Sequence, residues 1–237
     1  MKEKPILMSA PMVRAILEGR KMQTRRVVKF EINSFTGKHG EGFKRFEQAI
    51  DGLHWIGQLH LGDSTRGVKT TLAGESVKCP YGKIKDRLWV RETFAVMNQA
   101  AFKSKRPSPF SLRYKTDSDT AHTLRFRPSI FMPRWASRIT LEIVNVRVER
   151  LRDISTKDAE AEGVQYAVAK SEEHPEKVTP PIPLTGPCVP HFQKLKDITH
   201  DSLMRANYAG LWDSIYGKKF PWSSNPWVWV IEFKRLP

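Results

Sequence analysis

Apolar and polar positions alternate along several stretches of this chain in ways that name its elements. Met12, Val13, Ile16 and Leu17 recur at helical spacing behind Ser9-Ala10-Pro11, a cap followed by an early proline, and Gly19 ends the run. A short helix is expected over about residues 10 to 18. Arg87-Leu88-Trp89-Val90-Arg91-Glu92-Thr93-Phe94 alternates with period two, the pattern of a half-buried strand with Leu88 and Val90 on one face. Leu112 to Lys115 is a weaker strand. Arg138 to Val148 is the best, rich in β-branched residues and alternating for most of its length, and Trp227 to Phe233 closes the pattern.

Ser155-Thr156-Lys157-Asp158 has capping-box spacing with Asp in the acidic position, which predicts a short helix to Glu162 with Gly163 as its stop. A longer helix is expected from Ser202 to Ile215, carrying Leu203, Tyr208, Leu211, Trp212 and Ile215 inward, with Gly217 closing it. Two stretches lack such patterning. Residues 30–78 read as an insertion with one hairpin near His54 to Leu61. Residues 169–200 hold Pro175, Pro180, Pro181, Pro183, Pro187 and Pro190 and read as a second insertion. The order lacks regular βαβ spacing, so the fold expected is α+β, a small β-barrel decorated by short helices, as one domain over 1–237.

Composition changes this picture in one respect. The 237 residues include 40 Lys and Arg against 25 Asp and Glu, a formal charge of +15. Cationic excess of this size fits a phosphate-bearing partner, whose condensed counterions are released on binding; plain solubility is the other source. No stretch approaches the roughly 20 apolar residues of a membrane span. The short apolar run Ile6-Leu7-Met8 is no secretory core, and Cys79 and Cys188 stand far apart without C-x-x-C spacing. A cytoplasmic protein with reduced thiols, no membrane partner, no metal and no cofactor is expected.

The densest chemical signal is Gly19-Arg20-Lys21-Met22-Gln23-Thr24-Arg25-Arg26, read as a basic turn after the helix stop. An ammonium, a hydroxyl and guanidiniums in six residues can hold an anion, and Arg26 has a fork suited to phosphate or a base edge. The stretch resembles the ASCH domain motif G-x-K-x-x-T-x-R, matched by Gly19, Lys21, Thr24 and Arg26. Segments 86–93, 132–138, 158–163 and 228–234 are similar, in this order, to the longer ASCH proteins of phages and prophages.

The resemblance implies a PUA-like β-barrel with a cleft beside the first helix, in a superfamily associated with RNA and modified bases. It also implies a setting in a bacterial or phage-infected cell. Small bacterial members of the family are amidohydrolases that remove the acetyl group from N4-acetylcytidine with a Lys, a Thr and a Glu. Lys21 and Thr24 match the first two by motif position, and Glu162 matches the third by its place in Ala159-Glu160-Ala161-Glu162-Gly163. In that scheme Lys21, beside the like charges of Arg25 and Arg26, takes the Thr24 hydroxyl proton, and Glu162 shuttles it to the leaving amine.

Glu92 is a competing carboxylate at a strand end. Arg25, Arg26, Arg134, Trp135 and Arg138 are the candidate contacts to RNA, single-stranded DNA or a modified nucleoside. Trp89 and Trp229 are expected in the core. Three functional classes remain: the amidohydrolase, a non-catalytic RNA or DNA binder, and a phage accessory protein acting through protein contacts.

Overall fold

The computed structural model describes residues 1–29, 43–48, 54–60, 71–97, 112–117, 124–164, 166–167, 182–183 and 200–237. The fold is α+β, built on a mixed five-stranded sheet with few helices. In chain order its strands are β1 (Glu3–Leu7), β2 (Gln23–Val27), β3 (Phe43–Gln48), β4 (His54–His60), β5 (Thr71–Lys78), β6 (Arg87–Arg91), β7 (Phe94–Val96), β8 (Leu112–Tyr114), β9 (Thr140–Arg150), β10 (Tyr166–Ala167), β11 (Ile182–Pro183) and β12 (Trp227–Arg235). The helices are α1 (Ala10–Leu17), α2 (Thr156–Ala161) and α3 (His200–Tyr216). The main sheet runs β1-β6-β9-β12-β2.

The chain divides into two compact units. The first comprises Met1–Met22, Cys79–Val146 and Ile231–Pro237; the second comprises Gln23–Lys78 and Arg147–Val230. In the first, β1 pairs in parallel with β6 and β6 pairs antiparallel with β9, with Leu88 opposite Leu141. Leu88, Val90, Leu141 and Ile143 are fully buried, as their alternation dictates. Trp89 is 8% exposed as well, so β6 is covered on both faces. A satellite cluster of Phe94, Leu112, Met132 and Ala136 sits under β7 and β8. In the second unit Leu151, Ile154, Ala159, Val164, Met204, Tyr208, Trp212, Val228 and Val230 form the core, which fixes α2 and α3 against the sheet strands of that unit.

All three helix stops expected at glycine are present: α3 ends at Tyr216, directly before Gly217, and the other two take the left-handed conformation. Gly19 adopts φ +74° and Gly163 φ +84°, conformations that cost a side chain strain and glycine little. Ser155 caps α2, its hydroxyl accepting from the Asp158 amide at 3.1 Å. Trp89 and Trp229 lie in the core as expected.

Two expectations are corrected. Residues 23–27 of the stretch after Gly19, read as a turn, become β2, which lies beside β12 in the main sheet and whose Arg25 meets acidic partners brought by distant segments. The first insertion carries the antiparallel sheet β3-β4-β5 where one hairpin was expected. Of the second insertion only 182–183 and the start of α3 at His200 fall within the described residues, and Leu61 lies outside them.

Candidate functional site

The route to the site starts at the end of α1. The amides of Arg20 and Lys21 both donate to the Ala15 carbonyl, at 2.9 and 3.0 Å, so the chain reverses tightly about Gly19. Lys21 emerges 2% exposed, not as part of a solvated loop. It belongs to the first unit. The next residues enter β2 in the second unit, where Gln23, Thr24 and Arg25 are 2%, 1% and 2% exposed.

Arg25 is the hub of what the second unit assembles. Its Nη2 donates to Asp158 at 3.0 Å and to Glu149 at 3.3 Å, and its Nη1 stands 3.5 Å from Oε1 of Glu162. Its guanidinium also faces the Tyr208 ring of α3, 5.8 Å from the centroid. Arg147 completes the cluster, with Nε on Glu149 at 2.5 Å and Nη2 on Asp158 at 2.9 Å. Turned for best hydrogen bonding, the Gln23 amide donates to Asp158 and accepts from Arg25.

Burial pushes the Asp158 carboxyl up, but the charges of Arg25 and Arg147 outweigh it and hold the group below the usual carboxylate range. The Tyr208 phenol moves the other way. Its burial, reinforced by the charge of Glu162, raises it well above its ordinary value.

Glu162 follows α2 directly, its amide bonded to the Asp158 carbonyl at 2.9 Å, and its residue is 4% exposed. An exposed helix carboxylate is therefore excluded. The capping of α2 at Ser155 and its stop at Gly163 aim this side chain inward, where the guanidinium of Arg25 meets it. Thr24, one residue out of phase with Gln23 and Arg25, belongs to the alternate face of β2. Arg26 donates to the Tyr216 hydroxyl at 2.8 Å.

The remaining candidates lie in the first unit. Glu92, 1% exposed, accepts a two-pronged grip from Arg138, with Nε on Oε1 at 2.9 Å and Nη2 on Oε2 at 3.0 Å. The Thr116 hydroxyl donates to the same carboxylate at 3.0 Å, Asp117 takes Nη1 of Arg138 at 2.5 Å, and the guanidinium lies 3.9 Å from the Tyr114 ring centroid. The hydrogen bond from Arg138 holds Asp117 below its ordinary pKa. Arg134 pairs with Glu3 at 2.9 Å, and Trp135 is 37% exposed.

Sequence reasoning did not find Glu149, Arg147, Asp158 or Tyr208 as members of the cluster. The available signal was the spacing of Arg147 and Glu149, two apart on one face of β9, and the Asp at the third position of the α2 cap. Among the described residues no group of histidine, cysteine and carboxylate side chains is placed to hold a metal ion, and no helix is long and apolar enough to cross a membrane. Comparison with protein-family models, curated proteins and solved structures gave no match.

Proposed function

We propose that this chain is an ASCH-type protein with a PUA-like barrel that acts on nucleic acid or nucleotides. In its most concrete form it is an amidohydrolase that deacylates N4-acylated cytosine nucleosides. One observation supports the reading most: Lys21, Thr24 and Glu162 are 2%, 1% and 4% exposed, where a basic loop and a helix carboxylate without a task would be solvated. Polar groups are costly to bury, so a sequence that withdraws all three from water has a use for them.

In this reading the Thr24 hydroxyl attacks the acyl carbonyl while Lys21 takes its proton. The carbon–N4 bond then breaks, and Glu162 passes the proton from Lys21 on to the leaving amine. Water cleaves the resulting threonine ester, releasing the acid and restoring the hydroxyl. Incubation with N4-acetylcytidine, followed chromatographically, should give cytidine and acetate, and Lys21→Ala or Thr24→Ala should abolish this in a folded protein. No turnover on several acylated cytidines would end the catalytic reading.

One observation favours a second reading, a binding module without catalysis. Arg25 Nη1 already stands 3.5 Å from Glu162 Oε1, so this carboxylate serves an ion pair inside the protein. The +15 charge serves this reading equally well. Anisotropy with short RNA and DNA at two salt concentrations tests it; binding absent at low salt, or indifferent to salt, would remove it.

A further inference from the structure

We propose a second ligand site, for a nucleoside phosphate, in the cleft of about 530 Å³ along the outer side of α3. It makes no use of Lys21, Thr24 or Glu162 and so stands apart from the reading above. Its lining includes Arg152, Asp201, Arg205, Ala206, Ala209 and Trp222. The volume lies in the range of small-ligand pockets and exceeds what a bare anion fills.

Each part of the lining matches one part of such a ligand. Ala206 and Ala209, three apart on α3, present only methyl groups and let a flat ring approach the helix. Trp222 supplies an aromatic wall that is fixed in place. Its amide donates to Asp213 at 2.6 Å, its carbonyl accepts from Arg152 Nε at 3.2 Å, and its ring meets Tyr208 edge-on at 6.1 Å. Arg152 also donates to the Ser223 carbonyl at 3.0 Å, so one side of its guanidinium braces the Trp222 turn.

Nη1 of Arg152 has no partner among the described residues. Arg205 donates through Nη2 to the Arg152 carbonyl, and its Nε and Nη1 likewise have no partner among the described residues. Two guanidiniums with open donors beside an aromatic wall suit a phosphate joined to a base. Asp201, which accepts from the Thr156 hydroxyl at 2.7 Å, has lone pairs left for a sugar hydroxyl or an exocyclic amine.

Calorimetric titration of the full chain with cytidine 5′-monophosphate tests the site, with inorganic phosphate and cytidine as the two half-ligands and a pentanucleotide RNA as the polymeric source. The mononucleotide or the RNA should bind at least about tenfold more tightly than either half-ligand, because only the whole uses both the indole and the guanidiniums. Arg205→Ala and Ala209→Glu, the second placing a carboxylate in the cleft, should each weaken binding by about tenfold or more with the circular dichroism unchanged.

Arg205→Ala should weaken binding by the same factor in a Lys21→Ala background as in the native chain, which separates this site from the catalytic reading. Loss of mononucleotide binding in the two cleft variants assigns a free nucleotide. Loss confined to the RNA assigns a polymer end or strand. Absence of binding by both ligands, or binding that neither cleft variant alters, would overturn the proposal.

Discussion

Replacing Arg25 by methionine removes the charge at the centre of the buried cluster while filling much of its volume. The Arg25 side chain is wholly buried, and its three carboxylate partners differ in what they can recover. The side chains of Asp158 and Glu149 are 20% and 26% exposed and keep Arg147, so water and one guanidinium still serve them. The Glu162 side chain is 3% exposed and loses the cation 3.5 Å away.

Breaking a buried pair by deleting one partner costs about 3–5 kcal/mol, and retention of Arg147 places this case near the low end, about 3 kcal/mol. For a chain of this size that is a fall in melting temperature of roughly 6–12 °C. Urea unfolding followed by far-ultraviolet circular dichroism measures it. The double variant Arg25→Met/Glu162→Gln should recover about half of the loss, because the buried charge left behind is then gone. A single-variant loss below about 1 kcal/mol, or no recovery in the double variant, would show that the cluster does not carry the stability argued for it.

Gly19→Ala should cost about 1 kcal/mol in the same assay: the added methyl meets nothing within 4 Å, so the strain of φ +74° is the whole effect, and Gly19→Asn should cost less. Ser155→Ala removes the α2 cap and should cost about 1 kcal/mol, read as a lower urea midpoint. Acid titration follows from carboxyls held low in the folded state. Asp158 and Asp117 contribute stability that is complete above their ordinary value of 3.8 and is lost as the pH falls through their lower folded values. Stability should therefore drop steeply below about pH 4, and less steeply in Arg25→Met, where Asp158 keeps only Arg147.

What the sequence made legible were elements whose signals are local. The helical period of Met12, Val13, Ile16 and Leu17, the cap at Ser155 and the β-branched run of β9 each declare themselves within a dozen residues, and Gly19 and Gly163 mark their stops. The strands β1 and β2 do not. Glu3-Lys4-Pro5 becomes a strand only because Arg87 to Arg91 lies alongside it in parallel. Gln23-Thr24-Arg25-Arg26 reads as a loop until Glu149, Asp158 and Glu162, more than a hundred positions away, neutralise it. The same non-local pairing hid the cluster. The motif named Lys21 and Thr24 as candidates and the segment from Ala159 to Gly163 named Glu162, but nothing near Arg25 in the sequence announced that it would take hold of Glu162.

The interleaving of the two units along the chain has a consequence for synthesis. The first unit needs residues 1–22, 79–146 and 231–237, and strands β9 and β12 each pass from one unit to the other. Neither unit is a continuous stretch that a protease or a cloning boundary can release intact. On the ribosome, β9 emerges roughly 80 residues before β12 arrives to lie beside it, and at ordinary elongation rates that is an interval of several seconds. Through that interval a long β-branched edge stands open, which makes the nascent chain, rather than the finished protein, the state most in need of a chaperone.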